Sequence, residues 1–165
     1  MKLRRLLSIL APLALCAHAA AADAPGDGSG FTGTYIATLP ERAEIMQLHR
    51  DGTAEITLSD QVTFGAGGFT FSDSFGSWKV AGARRLEARF VNLNFDVTGP
   101  AATYSGAAVV DYVLQFAPTF RTFTASCQGK IYPTGVDPFA PGAVPVTTFD
   151  CAYLDGFQYR RVPLE

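Results

Sequence analysis

The chain has 165 residues, 48% of them hydrophobic and 12% aromatic, with a formal net charge of −2. That length accommodates one domain with a full apolar core. The weak acidic balance, with arginines scattered from Arg42 to Arg161, offers no continuous cationic track, which argues against nucleic acid and anionic lipid as partners.

The first 22 residues read as an export leader: a cationic start at Met1-Lys2-Leu3-Arg4-Arg5, an apolar run from Leu6 to Ala17, and small residues at Ala20-Ala21-Ala22. The apolar run is too short to span a bilayer, so the expectation is cleavage before Asp23, or after Ala19, and release to the periplasm or the medium with no integral membrane segment. Cleavage before Asp23 leaves 143 residues; losing Lys2, Arg4 and Arg5 leaves 10 basic residues against 15 acidic ones, a net charge of about −5. Cys16 lies within the leader, and Leu15 stands before it where a lipid-attachment signal favours a small residue. Cys127 and Cys151 remain, an even pair in an oxidising compartment, and are expected to form one disulfide; two buried free thiols are the alternative.

Residues 24–30, Ala-Pro-Gly-Asp-Gly-Ser-Gly, form a flexible lead-in, and a single domain is expected from Phe31 to the C-terminus. From there the segments read as strands: Phe31 to Thr38, Glu44 to Arg50, Thr53 to Ser59, Phe69 to Phe71, Gly76 to Val80, Arg84 to Val97, Thr103 to Ala117, Phe120 to Tyr132, and Val146 to Leu154 continuing from Gly156 to Val162. They are rich in Thr, Val, Phe and Tyr and punctuated by Gly, Pro and Asp-Gly, and no segment carries a sustained helical stripe. The glycine-rich stretch Phe64 to Phe69 lacks the lysine and the following helix of a phosphate loop and reads as a strand connection.

Tyr104 to Phe116 places Tyr104, Gly106, Ala108, Val110, Tyr112, Leu114 and Phe116 on one apolar face. Phe120 to Lys130 places Phe123, Ala125 and Cys127 on the matching face of a partner strand, so the two form a long antiparallel hairpin. In Arg84 to Val97 the apolar residues change parity, from Leu86, Ala88 and Phe90 to Val91, Leu93 and Phe95, which predicts a bulge near Phe90-Val91. Long bent antiparallel strands with no helix to cover them close most economically into a barrel of about eight strands; a two-sheet sandwich is the alternative. Pro133 to Pro145, with four prolines and two glycines, predicts one long loop, either a lid with Phe139 at its tip or a surface insertion.

A barrel of this size holds either packed side chains or one small apolar molecule, and the abundance of aromatic and small inward residues favours a cavity. Trp78, Tyr104, Tyr112, Phe123 and His49 are the candidate ligand-facing side chains. His49 reaches the lumen only if the Ile45 face points inward; otherwise it is a solvated residue beside Asp51. With a single histidine beyond the leader, a zinc site is disfavoured, and no cofactor motif is present. Asn92, Asn94 and Asp96 share one face, most simply the solvent side. Were that face interior, they would join Asp111 and Tyr112 as a candidate acid, base and hydrogen-bonding set.

Gly33-Thr34-Tyr35 resembles the Gly-x-Trp tripeptide that opens the lipocalin and avidin group of barrels, the calycins, with Tyr35 in the tryptophan position; Gly76-Ser77-Trp78 carries the tripeptide itself later in the chain. The resemblance implies a barrel whose floor is closed at Tyr35 and whose interior binds small hydrophobic molecules. No segment reads as the helix that follows a lipocalin barrel. Ser72 to Phe95 is similar to small secreted bacterial barrels and, more remotely, to the allene oxide cyclase and dirigent barrels, which implies an interior that steers cyclisation or coupling. Two further readings therefore stand beside a binder of a small apolar molecule: a cyclase or isomerase on the same barrel, and a filled barrel acting through its surface.

Overall fold

The computed structural model describes residues 28–59, 61 and 68–163; the leader, its cleavage site, most of the lead-in and residues 64–67 of the glycine-rich stretch lie outside them. Ten strands follow in order: β1 Gly33–Thr38, β2 Ala43–Leu48, β3 Thr53–Leu58, β4 Phe69–Phe71, β5 Ser74–Gly82, β6 Arg85–Asp96, β7 Thr103–Phe116, β8 Thr122–Pro133, β9 Thr147–Asp150 and β10 Gln158–Arg161. Every pairing is antiparallel. β8 pairs with β10 and β10 with β1, so the sheet closes on itself.

The ten strands occupy eight positions around the cylinder. β4 and β5 lie end to end along one edge of β6, and β9 and β10 lie end to end along one edge of β8. Closure pairs the edges that an open sheet would leave bare, except along β4 and β9, which each pair on one side only. The segment expected as one strand from Val146 to Leu154 stops at Asp150; a short 3-10 turn, Ala152–Leu154, separates it from β10. Among the described residues no helix is long and apolar enough to cross a membrane.

The expected bulge at Phe90-Val91 is not where the ladder breaks. β6 pairs with β7 without interruption from Arg85↔Gln115 to Asn94↔Gly106, and the register shifts only between Asn94 and Phe95, where Ser105 of β7 is the extra residue. Leu86, Ala88, Phe90, Asn92 and Asn94 therefore all face inward, while Leu93 stands outside, 45% exposed. The inward face turns from apolar to polar along one straight strand. A change in apolar parity signals a bulge only when the whole lumen is apolar, and here it is not.

At one end the lumen is packed solid. Phe31, Tyr35, Phe116 and Phe123 are fully buried, and Phe31 meets Phe116 and Phe120 edge-on with ring centroids 5.0 Å apart in each case. Phe123 stacks on Tyr159 at 4.4 Å. Burying each such side chain contributes about 1.5–3 kcal/mol, so this plug anchors the fold. Arg161 of β10 lies over the Tyr35 ring, 5.3 Å from its centroid, and its guanidinium donates to the carbonyls of Gly30 and Thr32. Gly33 makes room for that arrangement: its φ of +144° disfavours other residues, and an added Cβ would stand 3.0 Å from Arg161 Nε.

At the other end stand the β1–β2, β6–β7 and β8–β9 connections. Cys127 of β8 and Cys151 form a disulfide, Cα to Cα 5.2 Å, that ties the segment after β9 into the wall. Residues 134–146 run through successive turns, Phe139 among them 59% exposed.

Candidate functional site

The upper part of the lumen holds a cavity of about 320 Å³. Alternation along the strands supplies its walls: Ile56 and Leu58 from β3, Phe69 and Phe71 from β4, Phe90 from β6, Ala108 and Val110 from β7, Ile131 from β8. Phe149 and Thr147 of β9, with Tyr153 after it, form the outer rim and are partly exposed, so the cavity reaches the surface there. The Phe149 ring lies across Gly129 of β8. A Cβ on Gly129 would come within 2.0 Å of Phe149 Cζ, so the glycine is what allows the ring to sit against the wall.

Polar groups enter this apolar space at two places. On one side, β6 contributes Asn92 and Asn94, and Ser74 of β5 stands beside them. Asn92 Nδ2 donates to Ser74 Oγ at 3.3 Å. Asn94 is 3% exposed, and neither its Nδ2 nor the buried Oδ1 of Asn92 has a hydrogen-bond partner among the described residues. On the other side, Arg42 lies over the Tyr153 ring, 4.0 Å from its centroid, and Tyr112 reaches across from β7.

Tyr112 also touches a buried carboxylate. Its hydroxyl donates to Glu44 Oε1 at 3.4 Å, and the Tyr159 hydroxyl donates to the same oxygen at 2.5 Å. Glu44 is fully buried because β2 turns Glu44, Met46 and Leu48 inward as one face. Burial first, and then the neighbouring Glu44, hold the Tyr112 and Tyr159 phenols well above the ordinary tyrosine range. Both remain hydrogen-bond donors at neutral pH.

Of the side chains expected to face a ligand, Tyr112 lines the cavity. Phe123 is in the packed plug. Trp78 is half-buried at the plugged end, edge-on to Phe31, and its Nε1 donates to the His49 carbonyl at 2.9 Å. His49 follows β2 near that same end, partly exposed, its Nε2 3.6 Å from Glu55 Oε1. Tyr104 is 44% exposed: the extra residue at Ser105 turns it to the outer surface beside Phe95.

The polar set proposed around Asn92 is divided by the wall. Asn92, Asn94 and Tyr112 are inside, whereas Asp111 is outside, gripped by Arg89 through contacts of 2.6 and 3.0 Å, and Asp96 is exposed and accepts from Thr98. No residue of 134–146 lines the cavity. Among the described residues no three His, Cys, Asp or Glu side chains cluster as a metal site requires. Sequence reasoning missed Glu44 and Arg42, although the alternation Glu44-Met46-Leu48 was the available signal.

Comparison with known proteins adds no relative: no family model, no curated protein and no solved structure matches the chain.

Proposed function

We propose that this protein is an exported calycin-like barrel that holds a small, mainly apolar molecule in its lumen without transforming it. The cavity carries this reading. At about 320 Å³ it falls at the lower end of the range for small-molecule pockets, and it has the composition such pockets share, apolar walls with a few placed polar groups. Export is supported by the leader pattern of residues 1–22 and by the Cys127–Cys151 disulfide, which suits an oxidising compartment. The calycin likeness is supported by the closed eight-position barrel and by Tyr35 at its plugged end.

A second reading, a cyclase or isomerase on the same scaffold, draws on Glu44 with its two tyrosine donors. Both contacts go to Glu44 Oε1 from side chains of the barrel itself, an arrangement that braces the wall. Binding is therefore the better account.

Native mass spectrometry of the protein purified from its own host is the test. Binding predicts a co-purifying small molecule released by gentle activation, and N-terminal sequencing of the same sample is expected to begin at Asp23. A protein that is consistently bare and takes up no added apolar molecule of matching size refutes the reading.

A further inference from the structure

We infer that the occupant of the lumen is an uncharged amphiphile of about ten non-hydrogen atoms, bound through a head that offers one hydrogen-bond acceptor and one donor, as a carboxamide does, to Asn94 and Asn92. This rests on the lumen-binding reading above and specifies its ligand class. The size follows from the cavity, about 320 Å³, at about 30 Å³ per water-sized unit.

The head follows from two orphaned groups. Buried polar atoms in folded proteins are almost always paired, so one left over inside a cavity points at what the cavity receives. Asn94 is 97% buried and presents an unpartnered Nδ2 donor; Asn92 presents an unpartnered Oδ1 acceptor, its own amide nitrogen being engaged by Ser74. The two residues are neighbours on one inward face, about 7 Å apart along the strand, and rotation of their side chains lets both ends converge on one head.

Charge decides between head groups. A carboxylate carries no donor for Asn92 Oδ1 and places negative charge against that oxygen, and the guanidinium of Arg42, which also lines the cavity, lies over the Tyr153 ring. A pure hydrocarbon leaves both amides desolvated and unpaired. A carboxamide satisfies both while its chain lies along Phe69, Phe71 and Phe90.

The experiment is isothermal titration calorimetry at pH 7 on the protein expressed from its full sequence, leader included, with three probes of about equal size: octanamide, octanoate and butylbenzene. Octanamide is expected to bind at least about tenfold more tightly than either of the others. Asn94→Leu is expected to erase that preference while raising the affinity for butylbenzene, and Asn94→Asp, which replaces the donor with an acceptor, is expected to erase it as well. Equal or weaker binding of octanamide in the unaltered protein overturns the head-group inference and leaves lumen binding standing, as does an undiminished preference in either variant. Failure of all three probes to bind overturns both. Because the comparison of probes in the unaltered protein is decisive alone, a variant that fails to fold does not rescue the proposal.

Discussion

Tyr159 of the last strand donates its phenolic hydrogen to the buried carboxylate of Glu44 on the second strand, joining positions 115 apart in sequence. The bond crosses the seam where β10 meets β1 and β1 meets β2, so a polar contact inside the wall reinforces the closure that the backbone ladder makes. Removing the hydroxyl in Tyr159→Phe withdraws a donor from a buried acceptor, and the expected loss of stability at pH 7 is about 1–3 kcal/mol, read by urea denaturation.

The same tyrosines give the protein an alkaline limit. Tyr112 and Tyr159 retain their protons in the folded state beyond the pH, near 10.0, at which an ordinary tyrosine ionises. Below that pH both folded and unfolded chains hold these protons, and the stabilisation is fully present. Above it the unfolded chain releases protons that the folded chain keeps, so stability declines with rising pH by about 1.4 kcal/mol per unit for each tyrosine. Denaturation midpoints measured from pH 8 to 12 are expected to be level and then fall. Tyr159→Phe is expected to make the decline shallower by one tyrosine's share, and an unchanged slope contradicts the assignment.

Asn94→Leu is expected to stabilise the unliganded protein. It removes a buried donor without a partner, a group that costs about 1–3 kcal/mol, and replaces it with an apolar side chain of similar size facing Phe71 and Phe90. A melting temperature several degrees above that of the parent chain is the expected reading. A fall of similar size is the contrary result and indicates that the amide is satisfied without a ligand. A gain in stability with a loss of ligand preference is the usual signature of a residue kept for binding.

Arg161→Leu is expected to loosen the plugged end. It removes the contact with the Tyr35 ring and the bonds to the Gly30 and Thr32 carbonyls, together about 1–3 kcal/mol. Limited proteolysis is expected to cut first near residues 28–32 in the variant and elsewhere in the parent. Cleavage patterns that do not differ argue against the contact.

Replacing both Cys127 and Cys151 by alanine is expected to cost about 3 kcal/mol, since the disulfide closes a segment with a sequence separation of 24. The effect is expected in thermal unfolding, with hydrogen exchange of β9 rising more than that of β6 and β7. Uniform exchange across all strands is the opposing outcome.

Much of the architecture was legible in the chain because alternation was strict where the lumen is apolar. The even positions Tyr112, Leu114 and Phe116 and the odd positions Cys127, Ala125 and Phe123 do face each other across the expected hairpin, in the register Tyr112↔Cys127. The site was less legible, for two physical reasons. Its walls include polar residues, so the inward face of β6 at Asn92 and Asn94 looked like a solvent face, and Glu44, at the start of its strand, was not singled out. And a single unpaired residue at Ser105 carries Tyr104 from the side its parity suggests to the other, which no local pattern in that strand discloses.

The division of one barrel edge between β9 and β10 separates two tasks. β10 joins β8 to β1 by backbone bonds, whereas β9 pairs only with β8, and the gap above the join is bridged by side chains, Arg42 against Tyr153. Parting those side chains breaks no rung of the ladder that keeps the cylinder intact. That opening can therefore breathe on a faster clock than the scaffold unravels, and exchange of the proposed guest need not wait on denaturation.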